Sequence, residues 1–213
     1  MTSLPGDGAT INHEARTSDL LDRAVARFDA EDVPLGALVD TLAERAFGLV
    51  LLVLALPCAV PFLYGVPQIV ALPMVFVAAQ LAAGRHTLWL PGGLRRRTLK
   101  KATLVDMIDR ARPWLRRLER LSRPRLAGLT RRPAEQAIGL LLVLFSLTIL
   151  VPLPATNTVP GIAVAIVSLG FIERDGALAL AGTALGLVWT FVLLSLAGGL
   201  VALISAAVNA LGG

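Results

Sequence analysis

Three long blocks without a charged residue alternate with charged stretches along the 213-residue chain. The first runs from Ala46 to Ala83 and is interrupted at Pro57, Pro61, Gly65, Pro67 and Pro73. The second, Ala137 to Ile172, is broken over Pro152–Pro160, and the third runs from Ala177 to Leu211. The arm Ala46–Val60 reaches only about 22 Å as a helix, against a hydrocarbon core of about 30 Å. The following arm, Val66–Ala83, is 18 residues long, at the lower limit for a span. Short arms around a Pro/Gly tip predict re-entrant or broken helical hairpins, with two ordinary spanning helices as the alternative. Ala177–Ala197 is 21 residues, long enough to span, and Gly198-Gly199 is expected to break or kink the helix before Leu200–Leu211.

The polar stretches have their own pattern. Met1–Thr17 lacks a basic segment followed by an apolar core, so it reads as a disordered tail with no signal peptide. Ser18 is a candidate N-cap, with Leu20, Leu21, Ala24, Val25 and Phe28 on one helical face. Val33-Pro34 is expected to open a second short amphipathic helix with an apolar stripe of Leu35, Leu38, Val39 and Leu42. In the central segment, two amphipathic helices are expected near Leu104–Arg110 and Trp114–Leu121.

The first two apolar blocks resemble each other. At a shift of 91 positions, Glu44–Pro61 lies over Glu135–Pro152 with eight of eighteen residues identical, among them Glu44/Glu135, Gly48/Gly139 and Pro61/Pro152. The Glu, Gly and Pro matches are not a by-product of Leu-rich sequence. After the tip, Val66-Pro67-Gln68-Ile69 echoes Val159-Pro160-Gly161-Ile162. Interrupted apolar segments in corresponding halves point to a transporter-like site at the repeat interface. An acidic N-terminal region and a basic central loop on opposite sides would favour inverted repeats; an even number of crossings in the first block would make them parallel.

Composition agrees with a membrane protein: 55% hydrophobic and 16% charged, with a mean hydropathy of +0.72, against about 25% charged in soluble domains. A single Cys excludes a disulfide framework. The net charge of +5 hides a split of −5 over residues 1–45 and +12 over 85–132. The basic excess beside apolar segments places residues 92–132 in the cytoplasm. Without interleaved aromatic platforms, Arg95, Arg96, Arg97, Lys100 and Lys101 suit anionic lipid headgroups rather than nucleic acid.

Several stretches together carry a family resemblance: Glu44-Arg45-Ala46-Phe47-Gly48, Trp89-Leu90-Pro91 after Arg85, Arg112-Pro113-Trp114-Leu115-Arg116-Arg117-Leu118-Glu119, and Phe171-Ile172-Glu173-Arg174-Asp175-Gly176. Over about residues 18–200 the chain resembles the ExoD family of bacterial exopolysaccharide-synthesis proteins. The resemblance implies an inner-membrane protein connected with exopolysaccharide production, with an association to alkaline tolerance in some members. Cys58 departs from the family, which often has a polar residue such as Asn there.

No nucleophile–base–acid set, metal-ligand spacing or cofactor motif stands out, so the expectation is a non-enzyme without cofactor or metal. Glu44 and Glu135 recur at matching repeat positions; each reads either as a charge favourable to a helix N-terminus or as a partly buried carboxylate for a proton or cation. Glu173, Arg174 and Asp175 form either a polar surface turn or a buried ion-pair cluster facing the repeat interface. Tyr64 and Asn157, at the two tips, offer polar groups to an ion or substrate if the tips lie within the membrane. The expected fold is an all-α integral membrane protein of two repeats with broken or re-entrant hydrophobic hairpins. Its parts are a tail at 1–17 and a single membrane domain at 18–213: repeat one (18–91), the cytoplasmic linker (92–132), repeat two (133–176) and a C-terminal transmembrane segment (177–211). The expected role is transport or flipping of an ion or a polar or lipid-linked substrate in support of exopolysaccharide export. An accessory scaffold and a proton or cation antiporter are the alternatives. The bilayer, anionic lipid headgroups and the exopolysaccharide machinery are the expected partners, with a homodimer left open.

Overall fold

The computed structural model describes residues 25–26, 31–43, 45–61, 65–121, 133–151 and 156–212. In chain order they form strand β1 (Asp32–Pro34), helices α1 (Leu35–Leu42), α2 (Arg45–Ala59) and α3 (Val66–Ala82), and the four-residue helix α4 (Gly92–Arg95). Strand β2 (Thr98–Lys100) follows, then helices α5 (Lys101–Leu121), α6 (Ala134–Leu150), α7 (Thr158–Glu173) and α8 (Gly176–Gly212).

The Pro/Gly breaks do set the helix limits. α3 begins after Gly65, whose φ of 82° suits only a residue without a Cβ, and Pro67 falls in its first turn, where its missing N–H needs no partner. Four helices then pack crosswise. α2 lies along α7 and α3 along α6, while α8 adds to α7. The core contains Phe47, Leu51 and Ala55 of α2, Met74 and Ala78 of α3, Leu142, Phe145 and Ile149 of α6, and Val164 and Val167 of α7. The faces turned away are apolar too, with Val53, Leu56, Ile69, Leu72, Leu140 and Leu147 exposed.

Glycines fix how these helices meet. A Cβ on Gly48 would stand 2.8 Å from Ile172 Cγ1 and 2.9 Å from the Ser168 carbonyl, and one on Gly161 would stand 2.7–2.8 Å from the Cys58 and Ala59 backbone. The start of α2 therefore meets the end of α7, and its end meets the start of α7, so the pair is antiparallel. Gly139, near the start of α6, similarly abuts Leu81 and Ala82 at the end of α3. Cys58 and Ala59 lead into the first break and Gly161 follows the second, so both breaks lie at the same end of the bundle. The opposite end, where α2 starts and α7 ends, is termed the base.

Several expectations are corrected. The fold is mostly helical, in keeping with the all-α expectation, and β1 and β2 add a short antiparallel ribbon where a helix start was expected, pairing Asp32 with Lys100, Val33 with Leu99 and Pro34 with Thr98. Val33 precedes a proline, which drives it out of helical conformation and into this ribbon; Pro34 becomes the N-cap of α1 rather than part of its first turn. The ribbon also joins the acidic N-terminal side to the basic linker, so the two do not lie on opposite sides. Val25, Val33 and Leu104 form a small second core there. The two linker helices are one, α5, which continues through Pro113. α8 runs 37 residues without ending at Gly198-Gly199. The helix expected after Ser18 lies outside the described residues, except for Val25 and Ala26.

The glycine contacts yield a stability prediction. Gly161→Val pushes a branched side chain into the α2 backbone and should destabilise the folded protein by about 1–3 kcal/mol. Gly198→Ala, where nothing lies within 4 Å, should leave stability unchanged or raise it. Thermal unfolding of both variants in a neutral detergent checks this; equal melting points would contradict the packing.

Candidate functional site

At the base, α7 and α8 are joined by a tight polar turn. Arg174 closes α7 in the left-handed region (φ 54°, ψ 32°), an uncommon conformation for a residue with a long side chain. The Asp175 N–H donates to the Gly170 carbonyl at 2.8 Å. The Asp175 carboxylate Oδ1 accepts from the Ala177 and Leu178 N–H groups at 2.9 and 3.3 Å, and its carbonyl accepts from Ala179 N–H at 3.1 Å. Asp175 is therefore the N-cap of α8, and it is 4% exposed. Gly170 allows this hairpin, because a Cβ there would be 2.6 Å from the Ala179 nitrogen.

The Gly48 contact brings the first turn of α2 against the last turn of α7. Arg45, half-buried at the first position of α2, thereby feels the like charge of Arg174 and the opposite charge of Glu173. Arg45 was not singled out from sequence, although its place just before a charge-free block was a usable signal. Of the expected residues, Glu173, Arg174 and Asp175 are thus brought together, with Arg45 added. Glu135 is half-buried in the first turn of α6, where its charge favours the helix dipole. Glu44 lies outside the described residues.

At the other end, Asn157 occupies the N-cap position of α7 but makes no capping bond from its side chain. It is 9% exposed, and its Oδ1 has no hydrogen-bond partner among the described residues. Gln68 Oε1, in the first turn of α3, is likewise buried and unmatched. The two helix starts share a neighbour, since Cys58 Sγ lies 4.0 Å from the Pro67 carbonyl and Gly161 packs on the Cys58 backbone. The Trp189 indole N–H donates to the Thr156 carbonyl at 3.2 Å, fixing α8 to this end. Tyr64 lies outside the described residues.

Other buried polar groups are matched within the bundle. The hydroxyls of Ser146, Ser168, Thr183 and Thr190 each donate to the carbonyl four residues back at 2.7–2.8 Å. Gln80 clamps the segment after α3, donating to the Trp89 carbonyl at 3.2 Å and accepting its N–H at 2.7 Å. A lone Gln inside Ala78-Ala79-Gln80-Leu81 was the unread sequence signal for this clamp.

The linker cations are divided between tasks. Arg95 pairs with Asp40, the Arg97 carbonyl accepts the Leu35 N–H at 2.8 Å, and the Lys101 N–H donates to the Glu31 carbonyl at 2.7 Å. Lys100 stands opposite Asp32 in the ribbon, and Arg96 is exposed. A cleft beside the ribbon mixes Lys100 and Lys101 with Glu31, Asp32, Asp106 and Asp109. This surface is not uniformly cationic.

These features define a class: a bundle of short apolar helical hairpins with a charged base, a mixed-charge layer and, among the described residues, one unbroken helix, α8, long and apolar enough to cross a membrane. The chain belongs to the ExoD family, described as "Exopolysaccharide synthesis, ExoD", which matches residues 17–195. An uncharacterized protein of Synechocystis sp. is 33% identical over 154 residues, covering 70% of this chain and 72% of the relative. Protein ExoD of Rhizobium meliloti is 30% identical over 170 residues, covering 78% and 70%. No solved structure matches the chain.

The cap geometry separates two roles for Asp175. Asp175→Ala should cost about 1 kcal/mol through loss of the cap, whereas Asp175→Asn keeps an acceptor and most of that stability. Thermal unfolding of the two variants checks it; equal losses would mean that the charge, and not the cap, holds the turn.

Proposed function

We propose that this protein supports exopolysaccharide synthesis as a multi-pass protein of the bacterial inner membrane. On this reading it is not an enzyme; it moves or flips a polar or lipid-linked substrate between two hairpin repeats of the same orientation. The observation that carries it is the reciprocal packing of α2 on α7 and α3 on α6, wrapped in side chains that are apolar on their outer faces as well. A helix that is hydrophobic all round belongs in a core or in lipid, and among the described residues nothing covers these outer faces. The shared glycine positions, Gly48 and Gly139, each support a close helix crossing, as expected of a duplicated unit. The unmatched acceptors of Gln68 and Asn157 at the starts of α3 and α7 support a polar site between the halves, because interrupted helices in related halves commonly end at a shared site.

The mixed-charge layer of ribbon, α1, α4 and α5 favours a second reading, an accessory scaffold docking the synthesis machinery on its cytoplasmic side. Its ion pair and ribbon give it internal order beyond that of a linker held only by headgroups. The two readings separate by mutation. Transport is expected to fail when Asn157 or Gln68 is replaced by Leu with the fold intact. A scaffold is expected to fail on charge reversal at Arg96 and to ignore Asn157 and Gln68.

Topology gives the primary test. In a Cys58→Ala background, cysteines replacing Val66 and Val151 should behave alike toward impermeant maleimide, since both tips point the same way. A cysteine replacing Arg96 should react only after cells are broken. Opposite behaviour of the two tips, or labelling at 96 in intact spheroplasts, would contradict the arrangement.

A further inference from the structure

The two helix starts beside the breaks each lack a partner that such positions ordinarily have. Asn157 holds the N-cap position of α7, where an Asn oxygen normally accepts from the second or third N–H of the helix. The third position is Pro160, which has no N–H, and the Asn157 side chain makes no capping bond. Its Oδ1 is instead buried and unmatched among the described residues, on a side chain belonging to a residue only 9% exposed. Gln68 holds the third position of α3, from which a Gln normally reaches back to the N-cap N–H. Its Oε1 is buried and unmatched as well. Both starts flank one residue of α2. The Pro67 carbonyl lies 4.0 Å from Cys58 Sγ, and a Cβ on Gly161 would stand 2.7–2.8 Å from Cys58. The Gly161 N–H donates to the Asn157 carbonyl at 3.0 Å, so Asn157 is one turn from that contact.

Both breaks lie inside blocks without a charged residue, Ala46–Ala83 and Ala137–Ile172, so no side chain of these blocks offsets the charge of a bound ion. A cation would face two positive dipole ends, and an anion would face two amide oxygens. A hydroxyl suits both features. It donates to the amide oxygens and accepts from the first N–H groups of the helices, which have no intrahelical partner. Two acceptors on neighbouring helix starts call for several hydroxyls on one molecule. Trp189, whose indole N–H is bonded to the Thr156 carbonyl, sets an aromatic ring beside the residue preceding Asn157. Apolar and aromatic walls with a few placed polar groups are the usual make-up of a small-molecule site. We infer that the starts of α3 and α7 bind a neutral sugar group, with Asn157 Oδ1 and Gln68 Oε1 accepting from its hydroxyls. This inference rests on the reading above of a polar site between the halves and deepens it by naming the group recognised. Both oxygens are sealed from solvent, so the sugar parts the two helix starts as it enters. The ribbon and linker join the bundle at the base, so the site faces the opposite side of the membrane from them.

The test uses the full chain in octaethylene glycol dodecyl ether, a neutral detergent without a sugar. Retention of tritiated glucosyl dioleoylglycerol is measured at rising concentration. The competitors are dioleoylglycerol, the same lipid lacking the sugar, dioleoyl phosphatidic acid, its charged counterpart, and glucose, the free sugar. Saturable retention that dioleoylglycerol and phosphatidic acid leave in place is expected. Asn157→Leu and Gln68→Leu should each weaken it by about tenfold, the scale of one hydrogen bond lost in a closed site. Replacing an unmatched acceptor by Leu should keep or raise the melting point, whereas a residue that only holds the fold would lower it. If Asn157→Leu melts below the parent, Gln68→Leu decides. Arg96→Gln, on the exposed linker, should bind as the parent does. Displacement by glucose with the same variant dependence supports the site and assigns its ligand to the free sugar. Absence of saturable retention, equal competition by dioleoylglycerol, or undiminished affinity in Gln68→Leu overturns the inference. Equal competition by phosphatidic acid with the same variant dependence also overturns it, but leaves the polar site between the halves standing. A failed maleimide pattern removes the membrane reading whatever the retention shows.

Discussion

Helices that are apolar on every side cannot be sorted by burying one face and exposing another, so here shape decides what packs against what. Between such helices the selective element is the small residue that lets two backbones approach. Gly48 selects the end of α7 for the start of α2, Gly161 selects the end of α2 for the start of α7, and Gly139 selects the end of α3 for the start of α6. Gly170 and Gly182 continue the pattern into α8. The arrangement follows from these contacts: crossed pairing of the hairpins, both breaks at one end, and a base where the charged ends of α2, α7 and α8 collect. A larger residue at any of these crossings moves the helix ends that carry Arg45, Arg174 and Asn157.

The same lack of hydrophobic contrast explains how polar groups are treated inside. Four buried hydroxyls turn back onto their own helices, which satisfies their protons without tying helix to helix. Polar links between elements occur instead where backbone is not helical. Gln80 holds the exit from α3, Trp189 holds the second break, and Asp175 holds the turn into α8. These polar links between elements lie at the two ends of the bundle.

Much of this was legible in the sequence where a residue type has a strong local meaning. The breaks at Pro61–Pro67 and Pro152–Pro160 fixed four helix limits, and the shift-91 match paired Gly48 with Gly139, the residues that make equivalent crossings. The chemistry at the base was read only in part. Glu173-Arg174-Asp175 stands out as a charged island, but the partner Arg45 lies 129 positions away, and a crossing of two all-apolar helices leaves no periodic signature that would join them. Asp175 illustrates the second obstacle: a capping carboxylate and a site carboxylate have the same sequence. The ribbon escaped notice because three-residue strands give no alternation to detect, and its pairing of Asp32 with Lys100 depends on contacts between segments far apart in the chain. Gly198-Gly199 reads as a break or a kink, yet a helix tolerates glycine at about 1 kcal/mol each, too little to end a long apolar segment.

The length of α8 sets a constraint on how the molecule can sit in a bilayer. At 1.5 Å per residue its 37 residues extend about 55 Å. The bundle takes up only the first part: Trp189 bonds to the second break, and beyond Thr190 no residue up to Ala210 is buried. Helices α2, α3, α6 and α7 are each about 22–25 Å long by the same rise, so the bundle alone falls slightly short of a hydrocarbon core of about 30 Å. On the proposed reading, α8 then overshoots by most of a second bilayer thickness. Tilt cannot absorb this, because bringing about 55 Å within about 30 Å needs an inclination well beyond the usual range of 0–40°. The distal segment must bend back into the apolar layer or be covered by other protein, since Leu194, Leu196, Leu200, Val201 and Leu203 are all exposed. Bending is cheapest at Gly198-Gly199, where no neighbour restrains the backbone and glycine adds least resistance. On that same reading the glycine pair has a mechanical role even though it does not end the helix: it is the point at which an overlong apolar rod would be fitted to a membrane of fixed thickness.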